Sequence, residues 1–170
     1  MNAEITLVLG GARSGKSAFA EDLVLNSGLK PVYLATGRAF DDEMVHRIET
    51  HQDRRGDEWE TVEEPLALVD ALTQASHSGR MVLVDCLTLW ITNLMMAEAN
   101  IEREIAGLTV FLKEAQIPVV LVSNEVGQGI VPDNKMAREF VDLSGKAHQV
   151  IASACKHVYF VTAGLPQKLK

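Results

Sequence analysis

Five apolar residues, Ile5–Leu9, run directly into Gly10-Gly11-Ala12-Arg13-Ser14-Gly15-Lys16-Ser17, and an amphipathic stretch follows from Lys16 to about Asn26. The eight-residue segment satisfies G-x-x-x-x-G-K-[ST], and it stands where that pattern has physical meaning, after a strand and opening a helix. Glycines let the backbone curl until successive N–H groups point at phosphate oxygens. The helix N-terminus adds the positive end of its dipole. In such a loop Lys16 reaches the β- and γ-phosphates, and the Ser17 hydroxyl ligates Mg²⁺. Gly10–Ser17 is therefore read as a phosphate loop gripping a nucleoside triphosphate.

The rest of the chain alternates short β-branched runs with amphipathic stretches, the signature of a mostly parallel sheet covered by helices. Strands are expected at Ile5–Leu9, Pro31–Ala35, Met81–Val84, Val119–Ser123 and Val158–Thr162. All read as nearly continuous apolar runs, as strands buried on both faces do. Helices are expected from Lys16 to about Asn26, Asp41 to about Asp53, Pro65 to Ala75, Leu87 to Ala97, Ile101 to Ala115 and Lys135 to Ala154. The stretch from Arg54 to Glu64 carries seven charged residues among eleven and is expected to be a loop, solvated or functional. At 170 residues, without repeat or linker, the chain is expected to form one domain, 1–170.

A second metal-side group belongs at the carboxyl end of another strand. Met81-Val82-Leu83-Val84 is followed by Asp85, a Walker-B-like pattern that can hold Mg²⁺ through water. The alternative role for Asp85 is to cap the helix that follows. Cys86 stands next, where many phosphate-loop ATPases place a water-activating glutamate, which favours transfer to a substrate over hydrolysis.

Counting by fours from Arg47 gives His51 and Arg55 on one helical stripe, with Arg54 beside it. Guanidiniums disfavour a charged imidazole, which would keep His51 neutral and nucleophilic, and they offer fork-shaped donors to a phosphate near the ring. The alternatives are a structural histidine and a basic helix that only clamps phosphate in a plain kinase. A neutral imidazole attacking an α-phosphorus gives a phosphoramidate and releases pyrophosphate, a form of covalent catalysis. His46, His77, His148 and His157 lack such neighbours and are read as surface or core residues. Asn134-Lys135-Met136-Ala137 begins like the base-reading motif of GTPases but lacks its aspartate, and is read as a helix start. Asn124 and Glu125 follow an apolar strand, where open sheets place ligands, and are candidates for a substrate or subunit contact or for plain loop hydrogen bonding.

Several segments together carry a resemblance: the phosphate loop; Tyr33-Leu34-Ala35-Thr36; Asp41-Asp42-Glu43-Met44 leading to Arg47-Ile48 and His51; and Trp59-Glu60-Thr61-Val62-Glu63-Glu64-Pro65. Val122-Ser123-Asn124-Glu125-Val126-Gly127, Gly129-Ile130-Val131-Pro132 and Gly164-Leu165-Pro166 complete it. In these the chain resembles, over essentially its whole length, the bifunctional adenosylcobinamide kinase/adenosylcobinamide-phosphate guanylyltransferase family of cobalamin biosynthesis. The resemblance implies a phosphate-loop NTPase with a RecA-like sheet and helices on both faces. It implies phosphorylation of adenosylcobinamide by a nucleoside triphosphate, ATP or GTP, and then transfer of GMP from GTP through a guanylylated histidine. That histidine is here His51, and Lys16 is the other catalytic residue. Nucleotide contacts carry over to Gly10, Gly11, Ala12, Arg13, Ser14, Gly15, Lys16 and Ser17, to Thr36, Gly37 and Arg38, to Arg54, Arg55, Gly56 and Asp57, and to Glu63 and Asp85. Metal contacts carry over to Ser17 and Asp85. The turn after Thr36 varies within the family, and some members have glutamate where Asp85 stands. Asp85, being shorter, needs a closer approach to Mg²⁺ or a bridging water. A homotrimer with the nucleotide site near a subunit boundary is also implied.

Composition supplies exclusions. A net charge of −7 gives no general attraction for nucleic acid or anionic membrane, so phosphate affinity is local. No apolar run approaches the ~20 residues that span a bilayer, and the N-terminus lacks the features of a signal peptide. Cys86 and Cys155 fit no metal-ligand spacing and are expected as buried free thiols in a reducing cytoplasm.

Overall fold

The computed structural model describes residues 3–38, 45 and 55–170. Its frame is one seven-stranded sheet. The strands are β1 (Ile5–Gly10), β2 (Lys30–Ala35), β3 (Glu60–Glu63), β4 (Arg80–Asp85), β5 (Val119–Asn124), β6 (His157–Thr162) and β7 (Leu165–Lys168). They lie in the order β3-β2-β4-β5-β1-β6-β7. Every pairing is parallel except β6 with β7. The described helices are α1 (Lys16–Leu25), α2 (Leu68–Ala75), α3 (Leu87–Met96), α4 (Ile101–Glu114) and α5 (Lys135–Ala154).

Strand side chains alternate between the two faces of a sheet, and both faces here are apolar. Leu7, Val32, Leu34, Val82, Val84 and Leu121 face a core closed by α2, α3, α4 and α5. Val8, Tyr33, Leu83, Val120 and Val122 face a second core under Ala20 and Val24 of α1. This two-sided burial is why the sequence shows continuous apolar runs rather than alternation. The register sets the working edge. Gly10 lies beside Asn124, and Ala35 lies between Asp85 and Glu63, so the carboxyl ends of five strands finish side by side.

Two strands lie where no strand was expected. β3 falls within the charged stretch read as a loop. It has only Val62 packed toward the core, but Glu60 receives Lys30 Nζ at 2.8 Å and Arg80 Nη1 at 3.0 Å, and Trp59 stands edge-to-face on Tyr33. Cross-strand pairing and one aromatic contact thus replace an apolar run. β7 contains Pro166 and is fully exposed, as an edge strand tolerates. The helix expected from Pro65 begins instead at Leu68, because the Glu64 carboxylate accepts the N–H groups of Leu66 and Ala67 in the turn before it. Asn134 caps α5 by accepting Ala137 N–H at 2.7 Å, as a helix start should. Of the helix expected over Asp41–Asp53, only Val45 lies among the described residues, and it is helical and exposed.

Both cysteines are buried and free. Burial, with the Asp85 charge beside it, pushes the Cys86 thiol up to about 11, and burial pushes Cys155 up to about 12. Thiolate is the reactive form, so at pH 8 neither thiol should react with a thiol-specific chromogenic disulfide in the folded protein. Both should react at once in denaturant, and rapid titration of a native thiol would contradict the packing. Among the described residues, no helix is long and apolar enough to cross a membrane.

Candidate active site

The phosphate loop is held open by contacts that only glycine permits. A Cβ on Gly10 would lie 2.4 Å from Ser14 Oγ and 2.7 Å from the Val161 carbonyl oxygen. Gly15 sits at φ +93°, and a Cβ there would lie 3.0 Å from Gly164 Cα. Gly164 N–H in turn donates to the Ser14 carbonyl at 2.7 Å, so the β6–β7 turn braces the loop from behind. Helix α1 starts at once, with Phe19 N–H bonding the Gly15 carbonyl. Lys16 Nζ lies across the loop on the Gly11 carbonyl at 3.1 Å, and Ser17 is half-buried on the first helical turn. Ser14 Oγ is buried without a hydrogen-bond partner. A buried hydroxyl left unpaired is costly, and in a loop built to curl around phosphate it marks a place for an acceptor.

Asp85 ends β4 on the same edge. It does not cap α3, whose N-cap Cys86 makes no side-chain cap bond. The Tyr33 hydroxyl instead donates to Asp85 Oδ2 at 2.9 Å. Burial, with the neighbouring Asp85 charge, raises the Tyr33 pKa far above that of a free phenol, so the ring oxygen is a permanent donor. The Arg55 guanidinium carbon lies 3.3 Å above the Tyr33 ring centroid, a cation–π contact. Arg55 Nη1 is buried with no hydrogen-bond partner among the described residues. Arg55 thus stacks on the ring whose hydroxyl holds Asp85, while Gly56 and Asp57 are exposed beside it.

Thr36 locks the strand ends together. Its hydroxyl donates to the Cys86 carbonyl at 2.7 Å and accepts Cys86 N–H at 2.9 Å, while its own N–H donates to the Asp85 carbonyl. Asn93 of α3 donates to the Thr36 and Pro65 carbonyls at 2.7 and 3.0 Å. Thr36 is therefore a fully buried structural bracket at the start of the turn. Gly37 and Arg38 continue from it along the edge, with Arg38 exposed, and Glu63 is exposed at the end of β3. His51 and Arg54 lie outside the described residues.

The residues fit a magnesium ion. One hydroxyl (Ser17) and one carboxylate (Asp85, with Oδ1 left over after Tyr33 takes Oδ2) suit a hard cation that keeps several waters and takes its remaining ligands from phosphates. Among the described residues there is no cluster of three metal-ligating side chains, and such a cation requires none.

Sequence reading missed a second polar group at this edge. Ser123 Oγ lies 2.7 Å from His148 Nε2 and 3.4 Å from Thr88 Oγ1, and Thr88 Oγ1 accepts Asn124 N–H at 2.8 Å. His148 Nδ1 is 3.9 Å from Glu125 Oε2. His148 is indeed a core residue, but a bonded one. Its only sequence signal is a polar position on the buried face of α5, four residues after Ser144. Burial lowers its pKa, and the Glu125 carboxylate, the charged group facing it among the described residues, offsets part of that. Because the folded pKa lies below the ordinary 6.5, the unfolded chain takes up the proton first. This contribution to stability is complete above pH 6.5 and is lost as pH falls toward the folded value. Urea denaturation between pH 8 and pH 5 should show the decline, and His148→Gln should flatten it.

With loop, carboxylate and bracket on one edge, comparison with known proteins becomes decisive. A sequence model of the family described as cobinamide kinase / cobinamide phosphate guanyltransferase matches residues 6–169. The chain belongs to this family. It is 48% identical over 166 residues to the bifunctional adenosylcobalamin biosynthesis protein CobP of Pseudomonas aeruginosa, covering 96% of each chain. It is 38% identical over 179 residues to the bifunctional adenosylcobalamin biosynthesis protein CobU of Escherichia coli, covering 96% of this chain and 98% of that one. In fold it resembles the RadB recombinase, with a TM-score of 0.51 at 19% identity over 92% of this chain and 73% of that one. The fold is thus that of the RecA-like phosphate-loop NTPases, and membership of this family makes the protein an enzyme that uses nucleotides.

Proposed function

We propose that this protein phosphorylates the hydroxyl of the aminopropanol arm of adenosylcobinamide with a nucleoside triphosphate. It then transfers GMP from GTP, through a guanylyl-histidine, to the new phosphate, giving adenosylcobinamide-GDP. The observation that carries this reading is the convergence of Gly10–Ser17 and Asp85 on one sheet edge in a member of this family. One domain, 1–170, serves both reactions, in the cytoplasm and as a homotrimer.

In the first reaction the substrate hydroxyl oxygen attacks the γ-phosphorus, the bond to the bridging oxygen breaks, and the nucleoside diphosphate leaves. The hydroxyl proton passes to solvent. The N–H groups of Gly10–Ser17 and the Lys16 ammonium bind the charge that grows on the phosphates. Lys16 must leave the Gly11 carbonyl to do so, exchanging one hydrogen bond for stronger ones to an anion. Ser17 and Asp85, directly or through water, would hold Mg²⁺, which would supply further charge neutralisation. Gly37, Arg38, Arg54, Arg55, Gly56, Asp57 and Glu63 border the nucleotide, with Thr36 fixing the turn beneath it.

In the second reaction a ring nitrogen of His51 attacks the α-phosphorus of GTP, and pyrophosphate departs. A phosphate oxygen of adenosylcobinamide phosphate then attacks the same phosphorus and the P–N bond breaks, which frees the imidazole. Intact-protein mass spectrometry after incubation with GTP and magnesium should show a gain of one GMP. No gain with any nucleotide, alongside intact phosphorylation of adenosylcobinamide, would reduce the protein to a kinase.

A further inference from the structure

Among the described residues, the two most exposed large apolar side chains are neighbours, Ile130 at 98% and Val131 at 75%. They lie between the end of β5 and the start of α5. Helix α5 is the crossover from β5 to β6, and both strands run parallel to β1. The helix therefore runs back across the sheet, and its first turn stands at the carboxyl ends of the strands. Residues 125–134 crown the working edge, and they start beside the phosphate loop. Glu125 N–H donates to the Gly10 carbonyl at 2.9 Å. Five residues of fully extended chain reach at most about 18 Å, so the backbone of Ile130 lies no farther than that from Glu125.

The exposure is not that of a slack loop, because both flanks are fixed. At one end Glu125 Oε1 accepts Gly127 N–H at 2.6 Å. At the other, Arg138 Nη1 donates to the Pro132 and Asp133 carbonyls at 2.9 and 2.6 Å, and Asn134 caps α5. Between these ties two aliphatic side chains stand in water, where their burial is favourable. Met136, on the first turn of α5, is also exposed, and Gln128, Asp133 and Lys135 beside them are exposed and polar. The result is a small aliphatic platform with a polar rim. A stable protein interface buries about 800 Å² per partner, of which two or three aliphatic side chains supply only a small part. They are better matched to one face of a flat ring.

We propose that Ile130 and Val131, with Met136 beside them, receive the apolar face of the corrin macrocycle of adenosylcobinamide while the phosphate loop acts at the end of its aminopropanol arm. This rests on the function proposed above. The reacting hydroxyl is a small part of that substrate, so the macrocycle lies outside the nucleotide pocket yet within an arm's length of it. The edge that begins beside Gly10 meets both conditions, and Ile130 and Val131 are its apolar surface on the β5 side of the loop. The polar rim suits the amide side chains that surround the macrocycle. Because the macrocycle is the same in both reactions, the platform serves phosphorylation and guanylyl transfer alike.

The test is the steady-state KM of the full chain for adenosylcobinamide and for adenosylcobinamide phosphate, with sedimentation velocity and calorimetric GDP binding on the same samples. Full burial of a Val or Ile side chain corresponds to roughly 10- to 100-fold in affinity. Contact with one ring face buries only part of each, so Ile130→Ser and Val131→Ser should each raise both corrinoid KM values about 10-fold. They should leave kcat within about threefold and the Kd for GDP with magnesium within about twofold. Ile130→Leu keeps the aliphatic surface and should stay near wild type. Val110→Ser, an exposed aliphatic position on α4, should change none of these quantities. All four side chains replaced are exposed, so the fold should tolerate the changes. Unchanged corrinoid KM values in both serine variants would overturn the platform. A smaller assembly in sedimentation, or a loss of GDP affinity equal to the loss for corrinoid, would make the pair a contact between copies of this chain and overturn it as well. Wild-type protein that phosphorylates no adenosylcobinamide would instead overturn the proposed function, and the platform with it.

Discussion

Lys16→Ala should lower both phosphoryl transfer and guanylyl transfer by roughly 10³-fold or more, measured as kcat/KM with saturating magnesium. Removing a single preorganised donor to a developing oxyanion costs about 10²–10³. Lys16 brings a full positive charge besides, directed at phosphates whose charge is redistributed in both reactions. The fold should hardly notice. Lys16 is half-exposed, and its only described bond is to the Gly11 carbonyl, so its loss costs about 1 kcal/mol and shifts Tm by no more than about 4 °C. The alternative in which Lys16 is only a structural tie across the loop makes the opposite forecast, with a clear fall in Tm and activity reduced in proportion to unfolding. Retained activity at an unchanged Tm would remove the phosphate loop from the mechanism.

How far the sequence disclosed this site follows from which interactions leave a local trace. The phosphate loop is legible because strand, glycines and helix start are contiguous, and each demands its residue type. The five buried strands are legible because burial on both faces requires an unbroken apolar run. β3 is not, because its attachment comes from Glu60 reaching Lys30 and Arg80, residues that are distant in the chain. For the same reason Tyr33 could not be linked to Asp85, nor Arg55 to Tyr33, from spacing alone. The Thr36 bracket was equally hidden, because both of its hydroxyl bonds go to the backbone of Cys86, fifty residues away. His148 is the sharpest case. A histidine on a helix gives no hint that two residues of a distant strand will flank it, and the network becomes visible only when α5 is laid across β5.

The Thr36 bracket and the Tyr33–Asp85–Arg55 contact also bear on how one edge of a sheet can serve two reactions. Buried hydrogen bonds of this kind leave a partner unsatisfied when broken, at about 1–3 kcal/mol each. The ends of β2 and β4 are therefore rigid relative to one another, as the metal-holding role proposed for Asp85 would require. Arg55 is differently placed. It enters the site by stacking on a ring, with Nη1 buried and without a partner among the described residues. Such a donor is ready for a phosphate oxygen, and it belongs to the segment that leads directly from His51.

That connection supports the second large effect, which is expected at His51. Arg55 follows it by four positions, and a fully extended chain of that length spans at most about 14 Å. Covalent connection alone keeps the His51 backbone within that distance of Arg55, which stacks on the Tyr33 ring beside Asp85. His51→Ala should abolish the GMP adduct in intact-mass spectra and reduce guanylyl transfer by more than about 10³-fold, as loss of a covalent nucleophile does. Phosphorylation of adenosylcobinamide should stay within about tenfold of wild type, because the hydroxyl of the substrate, not the protein, is the nucleophile in that step. The split between the two activities is the informative quantity. A general weakening of nucleotide binding would depress both together, and an adduct that persists in the mutant would place the nucleophile on another residue. The adduct's chemistry gives an independent check, since a phosphoramidate hydrolyses in acid and survives base, whereas an acyl phosphate on a carboxylate does not survive base.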